Sequence, residues 1–202
     1  MNLHKIGLKH GTDKSTYHEY MDFYEKHFDR KNIKRFLEIG VQSGASLKAW
    51  REWLPKDSVA EGWDINPSTP IDGCDIRIVD QLDVDQMLNN ITGEYDVILD
   101  DGGHTAQMMQ VSFSTLFKFS KLYVIEDLHA PWCGEHFLAP NDINTLDLLE
   151  SFNVNGWISP YSTDEQKEYI DKNMEIVEIF VRGERSSPIS ATAIIRNRSK
   201  NV

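Results

Sequence analysis

The feature that most restricts what this chain can fold into is an alternation of short β-like apolar runs with stretches of helical spacing. Arg35-Phe36-Leu37-Glu38-Ile39-Gly40 reads as a first strand, and 46–54, with Leu47, Trp50 and Leu54 on one face, as the helix after it. Residues 59–65 read as a second strand, 76–79 as a short third and 84–91 as a helix. A fourth strand, 95–99, runs into the turn Asp100-Asp101-Gly102-Gly103. The helix expected over 105–119 turns Met108, Met109, Val111, Phe113, Leu116 and Phe117 largely to its buried side and leads to a fifth strand, 122–125. Such alternation predicts an α/β fold, a mostly parallel sheet with helices on both faces. Two further strands, 175–182 and 190–196, joined by a polar loop containing Gly183 and Pro188, predict a C-terminal antiparallel hairpin and bring the sheet to seven strands.

The 202 residues suit a single domain, 1–202, with two appendages. One is an N-terminal helical cap, 1–30, whose helix over 17–28 interleaves Tyr20, Phe23, Tyr24 and Phe28 with charge. The other is an excursion, 130–172, with a helix near 144–152, a kind of segment that usually carries substrate contacts. A net charge of −11 provides no cationic field for phosphate backbones or anionic lipid, which argues against nucleic acid or a membrane as partner. Cys74 and Cys133 lack CxxC spacing, so neither a disulfide framework nor a cysteine zinc site is indicated, and a reducing cytoplasm is the expected location. The chain has no apolar run of about 18 residues, and 1–10 lacks the apolar stretch of a secretory signal, so a membrane span and secretion by that route are not expected. These features leave the oligomeric state open, a homo-oligomer included.

Chemistry concentrates where strands end. In Glu38-Ile39-Gly40-Val41-Gln42-Ser43-Gly44-Ala45-Ser46, glycines at a strand-to-helix handover let the backbone approach a ligand beside the unpaired N–H groups of a helix start. The spacing is E-x-G-x-x-x-G rather than the G-x-G-x-x-G of a dinucleotide fingerprint, and a tight turn without ligand is the competing reading. Asp64, at the end of the second strand, stands where an acid accepts hydrogen bonds from a ribose diol, or alternatively forms a turn. Asp80 and Gln81 follow the third strand, at the position where a base or ribose edge would be met.

Together, Gly11-Thr12-Asp13-Lys14, His18-Glu19-Tyr20, Phe36-Leu37-Glu38-Ile39-Gly40, Asp64, Asp100-Asp101-Gly102-Gly103-His104 and Glu126-Asp127 resemble the class I S-adenosylmethionine-dependent methyltransferases. More narrowly, the chain resembles metal-dependent sugar O-methyltransferases of macrolide and surface-glycan pathways. The resemblance implies a Rossmann-like fold, with Glu38, Gly40 and Gly44 shaping the methionine pocket, Asp64 on the ribose, and Asp80 and Gln81 near the adenine. Lys14 and Asp100 join the cofactor-binding set.

Asp101 after the fourth strand and Glu126-Asp127 after the fifth would meet at one sheet edge if those strands are neighbours. Three carboxylates repel one another unless a cation sits between them, and an oxygen-rich, water-completed site suits Mg²⁺ or another hard divalent cation. Acids that merely begin loops are the alternative; the resemblance implies the ligand role for all three. His104, three residues beyond Asp101, is either a structural histidine or, as the resemblance implies, the general base for a hydroxyl made more acidic by the cation, since imidazole can take a proton near neutral pH. His129, Trp132, Tyr20 and His18 are the acceptor-side residues, whereas Tyr17 and Tyr24 read as packing residues. The N-terminal motif of Lys14, His18 and Tyr20 either closes over the cofactor or packs as an amphipathic helix on the sheet. The expected activity is methylation of a hydroxyl on a sugar or glycosylated small molecule. A metal-dependent hydrolase or phosphotransferase using the same acids, and a noncatalytic cofactor-binding protein, are the competing functions.

Overall fold

The computed structural model describes residues 2–67, 70–184 and 187–200. Three short helices come first: α1 (Leu3–His10), capped by the Asn2 side chain and closed by Gly11 in the left-handed conformation; α2 (Asp13–Thr16), capped by Thr12; and α3 (Tyr20–His27). The alternating region follows as β1 (Arg35–Ile39), α4 (Ala45–Trp53), β2 (Val59–Asp64), β3 (Cys74–Ile78), α5 (Val84–Asn90), β4 (Tyr95–Asp100), α6 (Ala106–Leu116) and β5 (Ser120–Ile125). Two more helices, α7 (Thr145–Asn155) and α8 (Asp164–Asn173), lead to the long closing strands β6 (Met174–Glu184) and β7 (Ser187–Asn197).

The seven strands form one sheet in the order β3-β2-β1-β4-β5-β7-β6. β1 to β5 pair in parallel, while β7 runs antiparallel to both β5 and β6. The sheet is the mostly parallel, Rossmann-like arrangement expected, hairpin included. Chain order reverses between β1 and β4, and a sheet of this kind opens a crevice at the carboxyl ends of its strands there.

Strand alternation decides what reaches that crevice. Phe36, Leu99 and Val124 point to the face covered by the N-terminal helices and α4, where they pack with Tyr24 and Trp50. Leu37, Ile98 and Tyr123 point to the other face, with Phe113, Leu148 and Trp157. By the same parity Glu38, Asp101 and Glu126 are directed toward the N-terminal helices, and Asp100 toward α6. Register holds them level: Ile39 and Ile125 both pair with Asp100 on the intervening strand.

The helix expected over 17–28 begins only at Tyr20, because Glu19 adopts a left-handed φ of 65°. The helix expected to run to 119 ends at Leu116 and finishes in a 3₁₀ turn. Gly183 and Pro188 are not in a loop but pair with each other across β6 and β7, and the linking residues 185 and 186 lie outside the described residues. Helices α1, α2 and α8 had no counterpart in the sequence reading. Among the described residues, no helix is long and apolar enough to cross a membrane.

Candidate active site

A cleft of about 430 Å³ opens at the carboxyl ends of β1, β2, β3 and β4. Its floor is the turn after β1. Gly40 has φ +89°, and a Cβ there would lie 1.9 Å from the Asp101 carbonyl oxygen. Gly44, at φ +78° before α4, leaves no room beside Ile71. Gly40 thus brings bare backbone to the ligand side and keeps the β1 and β4 turns in contact, and Gly44 lets α4 start against Ile71. Asp64 cross-braces the turn: one carboxylate oxygen accepts the Gln42 N–H at 2.7 Å and the other the Asn66 N–H at 2.7 Å. Each oxygen retains a lone pair for a ligand hydroxyl. Asp80 and Gln81 line the same cleft.

Four predicted cofactor residues, Lys14, Glu38, Gly44 and Asp100, lie outside the lining. Asp100 is buried on the α6 side, where it accepts hydrogen bonds from Gln81 Nε2 (2.7 Å), Tyr123 OH (3.1 Å) and Ser112 Oγ. Burial raises its pKa to about 6, with those donors and the Gly102 amide pulling the other way. Asp100 thus braces the loop: Gln81, anchored on it, accepts the Gly103 N–H at 3.0 Å. Glu38 is fully buried under α4, and burial raises its pKa to about 7 against the opposing pull of Lys14.

At the far end of the cleft the acids gather as strand parity requires. Lys14, only 1% exposed, pairs with Asp101 Oδ2, lies 2.8 Å from Glu126 Oε2 and 3.9 Å from Glu38 Oε1. Burial alone would lower its pKa, yet the carboxylates raise it well above 10.5. A buried ammonium therefore supplies charge compensation that the sequence reading assigned to a metal alone. Glu126 is turned inward, where Tyr24 OH donates to its other oxygen at 2.8 Å. Burial raises Glu126 and Asp101 despite Lys14. Tyr24 is thus more than a packing residue, and Tyr17, at 55% exposure, is not one.

Asp127 and His104 complete the rim. Both adopt left-handed backbone, φ 54° and 58°, a cost that non-glycine residues bear mainly at functional positions. His104 Nε2 lies 3.6 Å from Asp127 Oδ2, and its Nδ1 has no hydrogen-bond partner among the described residues. Asp101, His104 and Asp127 each offer a ligand atom within 4.8 Å of the others. With four carboxylates and one ammonium in the neighbourhood, this donor set fits a hard divalent cation. Glu126 is the one predicted ligand that the structure sets back, against Lys14 and Tyr24.

The acceptor-side residues divide. Tyr20 OH donates to Asp127 Oδ1 (3.2 Å) and to the Ala191 carbonyl (3.1 Å). His18 stacks on Tyr20, and its Nδ1 is 2.7 Å from Ser190 Oγ. His129, lowered in pKa chiefly by burial, accepts the Ala191 N–H at Nδ1, 3.3 Å away. These three surround Asp127, while Trp132 stands apart, 40% exposed in a 3₁₀ turn of the excursion. Sequence reasoning missed Ser112, Tyr123 and the β7 residues Ser190 and Thr192, whose types carry no signal on their own.

No protein-family profile matches the chain. It is 30% identical, along 89% of its length, to a mycinamicin VI 2''-O-methyltransferase from Micromonospora griseorubida, of which it covers 50%. It is 32% identical, along 65% of its length, to an 8-demethyl-8-(2-methoxy-α-L-rhamnosyl)-tetracenomycin-C 3'-O-methyltransferase from Streptomyces olivaceus, of which it covers 38%. The chain spans about half or less of these curated relatives. Among solved structures, a methyltransferase of the mycinamycin pathway, in complex with Mg, S-adenosylhomocysteine (SAH) and mycinamycin VI, superposes with a TM-score of 0.74 at 24% identity, covering all of this chain and 56% of that one. An O-methyltransferase from Bacillus cereus in complex with SAH gives 0.58 at 13% identity, covering 97% of this chain and 90% of that one. The fold is shared with methyltransferases solved in complex with SAH, and the sequence is similar to O-methyltransferases named for mycinamicin VI and for a rhamnosyl-tetracenomycin.

Proposed function

We propose that this chain is the methyl-transferring unit of an O-methyltransferase that uses S-adenosylmethionine to methylate a hydroxyl on a sugar or glycosylated small molecule, assisted by Mg²⁺. One observation carries the reading: the glycine-floored cleft beside Asp64 ends at the cluster of Asp101, His104 and Asp127. Neither competing function needs both halves of that arrangement. When bound, the cofactor supplies an electrophilic sulfonium methyl, and the cation a Lewis acid that makes a coordinated hydroxyl easier to deprotonate.

The remaining work belongs to the chain. The backbone around Gly40 and Gly44 and the carboxylate of Asp64 would seat the cofactor, together with Asp80 and Gln81 of the same cleft. Asp101 and Asp127 would hold the cation, with Glu126 set back behind Lys14. Gln81 and Asp100 fix the Gly102-Gly103 loop and hence where His104 starts. His104 takes the hydroxyl proton on a ring nitrogen, and Asp127 Oδ2, 3.6 Å from Nε2, stabilises the imidazolium that results. Placement of nucleophile, base and methyl donor in one cleft would supply much of the rate. His18 and His129, beside Asp127, would lie on the acceptor side, with the buried Tyr20 bracing that carboxylate. The net charge of −11 and free Cys74 and Cys133 support a cytoplasmic enzyme of small molecules rather than of nucleic acid.

The test is transfer of isotope-labelled methyl from S-adenosylmethionine to a panel of deoxysugar glycosides, with Mg²⁺ or with chelator. Label in a sugar methyl ether, lost on chelation, is expected. Label transfer at full rate without metal would remove the cation from the reading, and absence of transfer to any glycoside would remove the sugar.

A further inference from the structure

Asp127 does not serve one cluster only. Its Oδ2 faces His104, whereas its Oδ1 lies 3.8 Å from His129 Nδ1. His18, Asp127 and His129 each offer a ligand atom within 4.8 Å of the other two, forming a second group beside Asp101, His104 and Asp127. One carboxylate thus turns its two oxygens toward two donor sets, the arrangement of a bridging ligand. The sets differ in chemistry. The first carries two carboxylates and one imidazole; the second carries two imidazoles and one carboxylate. Nitrogen-rich sites favour borderline transition metals such as Zn²⁺, Co²⁺ or Cu²⁺, and oxygen-rich ones favour Mg²⁺.

The second group is also built. His18 is fixed by the face-on contact with Tyr20, ring centroids 4.9 Å apart and planes 14° apart, and by Ser190 Oγ at 2.7 Å from Nδ1. Outer-shell contacts of this kind orient metal-binding histidines. Tyr20 OH steadies Asp127 Oδ1 at 3.2 Å. At 3.3 Å the Ala191 amide is a long partner for His129 Nδ1, so a cation can compete for that lone pair. The positive φ of Asp127 is the local cost of aiming its carboxylate between the two groups.

We infer that His18, His129 and Asp127 form a second cation site, selective for a borderline divalent transition metal and adjacent to the proposed Mg²⁺ site through the shared Asp127. Its ligands come from the segment between α2 and α3 and from the turn after β5, so an occupied site ties the N-terminal helices to the sheet. The readouts are metal binding and stability, which require neither cofactor nor acceptor and are therefore independent of the proposed methyl transfer.

The test uses the full chain, stripped with chelator, dialysed and saturated with Mg²⁺, then titrated with Co²⁺. Visible d–d absorption saturating at one equivalent and a rise in melting temperature are expected. His18→Ala and His129→Ala should each abolish both, with far-UV circular dichroism checking that the variants fold. A measurement free of that concern is pulsed electron paramagnetic resonance of Cu²⁺ bound to the Mg²⁺-saturated His104→Gln protein, where modulation from two imidazoles is expected. No Co²⁺ binding beside Mg²⁺, an absorption band that survives both histidine substitutions, or fewer than two coordinated imidazoles would overturn the site.

Discussion

Lys14→Met removes a buried charge while keeping length and apolar volume. In the native protein the ammonium is 1% exposed and is the counter-charge to a group of three carboxylates, Asp101, Glu126 and Glu38. Removing one partner of a buried ion pair costs about 3–5 kcal/mol, because the remaining charge stays desolvated. For a chain of this size that corresponds to a fall in melting temperature of roughly 6–20 °C. The defect should depend on pH, and the direction follows from linkage. Lys14 itself is raised above 10.5, so its contribution is complete at neutral pH and declines only in strong alkali. Burial already raises Glu38, Glu126 and Asp101, and without the ammonium the largest opposing influence on each is gone. Acids raised on folding hold protons that the unfolded chain has released, so the stability of the variant falls as pH rises through their folded values. The gap to the native protein should be narrow near about pH 5 and full near about pH 8. Urea denaturation of both proteins, in chelator at the two pH values, measures it. A loss below about 1 kcal/mol at the higher pH, the range of a surface ion pair, would refute the argument, as would an equal loss at both.

Other outcomes follow from the same geometry. Glu38→Gln removes an acid held at about 7 by burial; the native carboxyl lowers stability as it ionises between its unfolded value of 4.5 and about 7, so the variant should gain on the native protein as pH rises through that window in metal-free thermal melts. Asp64→Ala removes a charged acceptor and the brace on the Gln42 turn and should weaken S-adenosylmethionine about 10-fold to 100-fold by calorimetry, at roughly 1.5–3 kcal/mol for a hydrogen bond to a charged group. His104→Gln should lower turnover about 10²-fold to 10⁴-fold with little change in affinity for either ligand, measured by single-turnover methyl transfer.

The strands and the cofactor turn were legible because parallel strands buried on both faces are written as apolar runs, as in Phe36-Leu37 and Leu122 to Ile125. The convergence of Asp101 with Glu126 was legible too, since it needed only that β4 and β5 be neighbours. Helix α1 was not: two turns with Leu3, Ile6 and Gly7 buried are too short for a period to stand out. Helix α8 buries only Ile170 and Asn173, and its one signal was the capping box of Thr163 and Gln166. The resemblance of the N-terminal motif points Lys14 toward the cofactor but does not show its burial, which depends on Asp101, Glu126 and Glu38, distant in sequence and level in the sheet. Tyr24 and Asp100 illustrate the same limit, since a side chain's hydroxyl or carboxylate partners are set by register and parity rather than by its neighbours in the chain.

The central claim, that the glycine-floored cleft at the carboxyl ends of the strands binds the methyl donor beside a cation cluster, is tested most directly by calorimetric titration of the metal-free chain with SAH and, separately, with Mg²⁺. One equivalent of each is expected to bind, with Asp64→Ala weakening the first and Asp101→Ala the second. No heat of binding for SAH, or binding indifferent to Asp64, would contradict it.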